Sequence, residues 1–461
     1  MTMNAACPPR QFAIKLTVRI SVLTLAALTF MQITLSRNSY AESNKKSPQR
    51  GEAEELKTGK EDSSGFFAKA IRKLFQQYQV RMLGSPHTIN ALPIVFYGPR
   101  TGVNLGFNSV IHSTQDYPYL YRLKLQVIAS LRGSHRHKLL FEYPHLGRSN
   151  FGLILDGEWE RDLEARYFGL GNDSVNEDEL TDPQNQLFID ENYYLYNLKR
   201  PRITLYGTRE MIPNISLWFG FGLESVDPQI KNGPATSFLA GDRPFGHLGG
   251  SGRHFSLRLR WDTRINDVFP LGGFLTEIAY EPNFASVKEE VAGANETQRR
   301  SRGVTFQRYT FSDAHFIPLL SSNHLIFANR VAFEAIAGEP PFYALGEIAG
   351  EPYTRALGGG HSLRGFQSRR FHDKIKFFTL TELRYNCKSF HLTAQTFDLI
   401  LVGFFDTGRV WHRWSEISFD HFHSTVGLGV WLNWNHNLII RLDVGRSSEE
   451  IIPFFRLNSA F

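Results

Sequence analysis

A period of two governs this chain from residue 101 onward, and few folds accommodate it. Tyr121, Leu123, Leu125, Val127, Ala129 and Leu131 alternate with Arg122, Lys124, Gln126, Ser130 and Arg132, so a strand here is apolar on one face and charged on the other. The pattern returns at Phe255, Leu257, Leu259 and Trp261 against His254, Ser256, Arg258, Arg260 and Asp262. It returns again at Leu438, Ile440, Leu442 and Val444 against Arg441 and Asp443. In a soluble sandwich the apolar face looks inward; in a transmembrane barrel it faces lipid while the charged face lines a wet lumen. Periodicity alone leaves both architectures open.

The first 41 residues favour the barrel. Arg10, Lys15 and Arg19 precede an apolar stretch from Ile20 to Leu35, and Ser39-Tyr40-Ala41 supplies a small-x-small cleavage site, the three parts of a secretory signal. An uncleaved helical anchor is the alternative, though Thr and Gln interrupt the apolar run. Removing the four basic residues of this segment leaves 47 basic against 45 acidic, a net charge near +2, so the high pI gives no reason to expect a nucleic-acid partner. Cys7 leaves with the signal and Cys387 remains alone, which rules out an intrachain disulfide in the mature chain. No later window offers the roughly 18 to 20 uninterrupted apolar residues of a transmembrane helix. A secreted chain of this kind with 38 Phe, 17 Tyr and 38 Gly, ending in Phe461, fits an outer-membrane barrel.

Residues 42–65 are polar and charged and read as a periplasmic tail without a core to bury. Phe67, Ile71, Leu74, Phe75, Tyr78 and Met82 recur at helical spacing beside Lys69, Arg72, Lys73 and Arg81. The spacing predicts a short basic amphipathic helix within a 66–91 helix-and-linker segment, either plugging the barrel or closing its periplasmic rim. Residues 92–461 form the barrel. Sixteen strands are expected near 102–112, 119–132, 136–145, 150–161, 187–199, 201–209, 215–226 and 253–262, then 273–286, 301–316, 323–337, 375–387, 397–411, 423–433, 436–446 and 453–461. An even count returns both termini to the periplasm and makes the segment from Gly338 to Lys374 an external loop. The long acidic connection from Asp162 to Gln186 then falls where turns should be short.

The external loop contains Ala356-Leu357-Gly358-Gly359-Gly360-His361-Ser362-Leu363-Arg364-Gly365-Phe366, whose glycines allow a tight path close to other chain. Downstream, Glu382 shares a strand face with Arg384, and Asp406 shares one with Gly408. If both faces line the lumen and the loop folds inward, Arg364 has two carboxylates to meet. Other signals are weaker. His361-Ser362 lacks an acid at hydrolase spacing, and no catalysis is expected. Asn172 to Glu191 is rich in Asp, Glu and Asn but lacks the one-three-five spacing of a calcium loop. His135/His137 and His421/His423 pair imidazoles on one face, more in the manner of a polar rim than of a metal site. Cys387 reads as a small strand-end residue. No cofactor is expected.

Taken in order, several motifs resemble the BamA/TamA superfamily of outer-membrane assembly and translocation barrels, over most of Leu92 to Phe461. They are Tyr167-Phe168-Gly169-Leu170-Gly171-Asn172, Asp262-Thr263-Arg264 with Pro270 and Gly273, Leu363-Arg364-Gly365-Phe366, Glu382-Leu383-Arg384-Tyr385 and Phe405-Asp406-Thr407-Gly408-Arg409-Val410. The resemblance implies that Arg364, Gly365 and Phe366 form a lumen loop lock with Glu382 and Asp406, serving either barrel stability or gating. It also makes Phe455, Leu457 and Phe461 the barrel's C-terminal signal, with Ser459 where an apolar residue is usual. It implies a role in insertion or translocation of protein or lipid, in contact with outer-membrane lipid, with outer-membrane clients or a periplasmic partner. A closed structural barrel or a passive pore occluded by the loop is the alternative. The chain departs from the family in one respect: residues 42–91 leave no room for a periplasmic polypeptide-transport-associated domain. Cargo, seam opening and oligomeric state are not legible in the residues.

Overall fold

The computed structural model describes residues 78–457 apart from the connections 83–84, 99–100, 114–118, 175, 231–234, 293–296, 321–323, 350–354, 393–394 and 436–437. Over these residues the chain is all-β, with seventeen strands. They are β1 (Tyr78–Met82), β2 (Ser85–Gly98), β3 (Gly102–Ser113), β4 (Arg122–Ser130), β5 (His135–Tyr143), β6 (Phe151–Arg166), β7 (Leu195–Ile212), β8 (Ile215–Gln229) and β9 (Gly250–Asp262). There follow β10 (Gly273–Ala292), β11 (Thr297–Pro318), β12 (Leu325–Gly338), β13 (Ile375–Leu392), β14 (Gln395–Trp411), β15 (His423–Trp434), β16 (Leu438–Arg446) and β17 (Ile451–Leu457). Two short helices, α1 (Phe238–Asp242) and α2 (Phe342–Leu345), lie in connections. No described helix is long and apolar enough to cross a membrane, which says nothing of strands.

Each strand pairs antiparallel with the next in sequence, from β1 to β17. Residues directly opposite one another share a face, so the register decides which side chains meet. On β4 to β7 it sets Arg122 opposite Glu142, Arg136 opposite Glu160, Lys138 opposite Glu158 and Arg202 opposite Glu158. Ion pairs result, Arg136 to Glu158 at 2.9 Å and Arg202 to Glu158 at 2.9 Å among them. The opposite face carries exposed apolar side chains: Phe219, Phe221 and Leu223 on β8, Phe255, Leu257 and Leu259 on β9, Leu428 and Val430 on β15. A sheet with paired charges on one face and bare hydrocarbon on the other is built for lipid outside and a polar interior.

The sheet curls around one connection. Strands in a sheet lie roughly 4.8 Å apart, so β6 and β16 would stand about 48 Å apart if flat. Yet the β12–β13 connection reaches both: Arg355 pairs with Glu160 of β6, and Arg370 Nε lies 3.0 Å from Glu449, just past β16. Among the described residues the registers give no closing pair between β17 and the first strands. Long connections follow even-numbered strands, and this loop end is filled by three of them. Tyr167 from the β6–β7 connection, Leu239 of α1 and Phe342 to Leu345 of α2 form one cluster with Tyr196, Leu198, Val226, Phe306 and Ile336. At the opposite, turn end, Phe269 of the β9–β10 turn packs into a cluster with Phe316, Ile326, Ile400, Val402 and Trp431.

Two expectations are corrected. Tyr78 and Met82, read as the last residues of an amphipathic helix, lie in β1, and 85–91 belong to β2, so the barrel sheet starts before Leu92. Residues at i and i+4 share a face in a strand as they do in a helix, and the hairpin partner decides between them; Tyr78 pairs with Ile89. The rest of that helix, the signal segment 1–41 and the 42–65 tail lie outside the described residues. Among the described residues there are seventeen strands where sixteen were expected. Besides the two N-terminal strands, 187–199 and 201–209 merge into the single strand β7, which continues through Pro201. Proline lacks a donor, and the β7–β8 ladder skips Arg200 and Pro201 while the β6–β7 ladder runs on through them. Merging these strands moves the acidic β6–β7 connection to the loop end, where long connections belong.

Candidate functional site

The β12–β13 connection enters the interior at three anchor points. The first is Arg364. Alternation along β13 and β14 turns Glu382, Arg384 and Asp406 to the inner face, where all are at most 1% exposed, and Arg364 itself is fully buried. Arg364 Nε donates to Asp406 Oδ2 at 2.8 Å and Nη2 to Asp406 Oδ1 at 2.6 Å, a two-pronged pairing that suits the planar guanidinium. Its Nη1 donates to Glu382, and its backbone N–H adds a 3.1 Å bond to Asp406. The guanidinium also stacks on Phe404, 3.7 Å from the ring centre. Burial alone would favour the neutral arginine; Asp406 and Glu382 outweigh it and hold its pKa raised.

The tip is held against bare backbone. Gly365 has φ +126, and a Cβ there would lie 3.0 Å from the Arg446 carbonyl carbon and 3.1 Å from Ser447 N. Gly445 of β16 faces it, and a Cβ there would collide with the Arg364 carbonyl. Ser447 Oγ donates to the Gly365 carbonyl at 2.7 Å. Phe366 is fully buried among Leu357, Leu363, Phe371, Phe378 and Val410. Ser362 is occupied by the loop itself, accepting from Gly358 N at 2.9 Å and donating to Gly358 O at 3.1 Å, which gives its hydroxyl a structural task.

The second anchor, Glu347, was not singled out in the sequence. It accepts from Arg200 Nη2 at 2.8 Å and Arg202 Nη1 at 3.0 Å on β7, and lies 3.5 Å from Arg369. Burial opposes its charge, but Arg200, Arg202 and Arg369 prevail and bring its carboxyl down to about 2. The only sequence signal was inward-facing charge at i and i+2 on β6 and β7, which states that partners exist and not where they come from. Around the third anchor, Arg370 bonds Ser174 and Glu449, while Tyr167 to Asn172 docks alongside. Asn172 Oδ1 accepts from Val410 N at 3.3 Å, its carbonyl meets His423 Nε2 at 3.0 Å, and Gly171 N donates to the His372 carbonyl at 3.1 Å.

The two ends of the interior are bridged by one ion pair. Glu382 is shared between Arg364 and Arg384, the latter at 2.7 Å, and Arg384 stacks on Trp431, Phe316 and Phe269 at 5.1, 5.3 and 5.8 Å. Phe269 comes from the Asp262–Gly273 turn, which Arg264 braces by bonding Asp262 twice at 2.8 Å. Asp267 of the same turn crosses to Arg122 on β4 at 2.8 Å. The remaining candidates have structural partners. His423 stacks on Phe371 at 3.7 Å, His135 stacks on His137 and accepts from Trp159, and Asp182 and Asp190 cap their own turns. Cys387 is half-buried near the Tyr385 carbonyl. Among the described residues no three His, Cys, Asp or Glu side chains converge as metal ligands. Phe455 and Leu457 sit on β17 opposite Leu442 and Ile440; Phe461 lies outside the described residues.

No curated protein matches the sequence. Among solved structures, the crystal structure of BamA from Haemophilus ducreyi lacking POTRA domains 1-3 overlaps it at 12% identity, covering 89% of this chain and 80% of that chain, with a TM-score of 0.49. The Omp85 superfamily domain model matches residues 183–447, which include the Asp262–Gly273 turn, the Arg364 loop and both of its carboxylate partners. The chain belongs to the Omp85 superfamily.

Proposed function

We propose that this bacterial outer-membrane β-barrel protein assists insertion or translocation of polypeptide or lipid at the outer membrane, with the β12–β13 connection folded into the lumen as its internal support. The observation that carries this reading is the buried Arg364 bridge to Glu382 and Asp406. A wall that must yield to cargo needs its interior held in register, and the ion cluster that ties the loop to β13 and β14 supplies that hold. In this reading the loop end faces the cell surface, the turn end faces the periplasm, and Phe455, Leu457 and Phe461 form the C-terminal barrel signal. Conditional depletion tests it, with folded outer-membrane proteins and surface lipids quantified against an undepleted control. Selective loss of one class names the cargo; unchanged levels of both after complete depletion refute the reading.

A closed or diffusive barrel is the second reading, favoured by the filling of the interior from both ends by Arg364 and Phe269. Steady single-channel conductance that rises in Arg364→Ala would support it.

A further inference from the structure

The charges around the loop tip do not balance. Arg364, Arg384 and Arg441 meet Glu382, Asp406 and Asp443, three cations against three anions, all at most 1% exposed. Arg441 pairs with Asp443, whose other oxygen accepts from Trp431 Nε1 at 2.7 Å, so each oxygen of that carboxylate already accepts one bond. A fourth arginine, Arg456 on β17, stands directly opposite Arg441 in the β16–β17 ladder. Like charges opposite one another in a ladder destabilise it. Among the described residues Arg456 has no carboxylate in hydrogen-bond reach, its enclosed Nε is unpartnered, and the charges of Arg136, Arg355 and Arg441 repel it against the attraction of Asp443. Its Nε lies 2.6 Å from where a Cβ on Gly360 would stand, so it sits directly beneath the loop tip. Arg441 is fully buried yet leaves Nε and Nη1 without partners.

We propose that Arg441 and Arg456 form an oxyanion site beneath Gly360, taking a carboxylate or phosphate group. Two guanidinium forks with free N–H groups match a planar or tetrahedral oxyanion better than a spherical halide. Binding there neutralises Arg456, which has no carboxylate in hydrogen-bond reach among the described residues, and removes the repulsion across the β16–β17 ladder.

The test uses the full folded chain in detergent at neutral pH and reads the temperature at which heat-modifiable gel mobility is lost. Sodium chloride, acetate and phosphate are compared at matched ionic strength. The expected result is a rise of about 3 °C or more in phosphate or acetate over chloride, and whichever anion responds names the group. Arg456→Gln should erase the difference between anions, and Arg456→Lys, which keeps the charge without the fork, should weaken it even if the glutamine variant does not fold. Equal temperatures in all three salts for the unaltered protein would overturn the proposal. So would an oxyanion effect that survives unchanged in Arg456→Gln or Arg456→Lys.

Discussion

Replacing Arg364 by alanine should destabilise the barrel, and the structure says which partner suffers. Glu382 keeps Arg384 at 2.7 Å and stays compensated. Asp406 loses both guanidinium bonds and keeps only the backbone N–H of residue 364 at 3.1 Å and the Thr425 hydroxyl at 3.5 Å. Removing one member of a buried pair costs roughly 3 to 5 kcal/mol, because the survivor is left charged and dry. At roughly 2 cal/mol/K of unfolding entropy per residue, a chain of this size loses about 1 °C per kcal/mol, so the mobility transition should fall by about 4 °C. Second variants separate the two carboxylates. Arg364→Ala with Asp406→Asn removes the stranded charge and should recover about half of the loss. Arg364→Ala with Glu382→Gln should recover nothing, since it also strands Arg384. An unchanged transition in Arg364→Ala, or equal recovery from both second changes, would refute the account.

Gly365→Ala should destabilise by about 1 to 3 kcal/mol through backbone strain at φ +126, measured as the same mobility transition; Gly403→Ala, with nothing within 4 Å of the new Cβ, should leave it unchanged. In the β9–β10 turn, Phe269→Ala should cost about 3 to 5 kcal/mol, as for a buried phenylalanine. Asp267→Ala should cost under about 1 kcal/mol, because its carboxylate is half exposed; equal effects would mean that the turn is held by its ion pair and not by its core contact. Burial, together with the charges of Arg369 and Lys376, pushes the His372 imidazole down to about 3. His372 is therefore neutral when folded and takes a proton near pH 6.5 when unfolded, so its contribution is present above that pH and is lost as pH falls toward 3. Urea unfolding between pH 7 and pH 5 should lose about 1 to 2 kcal/mol, and His372→Gln should flatten that slope.

Much of the wall was legible in the sequence. A strand's two faces are set by local alternation, so that Glu382 shares a face with Arg384, and Asp406 one with Gly408, followed from position alone; which of the two faces lies inside, and where the Arg364 loop goes, did not. What failed was local ambiguity: Tyr78 and Met82 satisfy a helix and a strand equally, and Pro201 reads as a break although a ladder on one side suffices to carry the strand through it.

The long-range contacts are a different matter. Glu347 meets Arg200 from 147 positions away and Arg355 meets Glu160 from 195 away, pairings that no spacing rule encodes. Arg456 opposite Arg441 belongs to the register, but its isolation depends on Gly360 arriving from another part of the chain. Local sequence determined which side chains of each strand share a face, because side-chain direction depends only on the residue's own backbone. Tertiary structure alone decided which charges are paired, because the curl of seventeen strands brings together residues from distant parts of the chain.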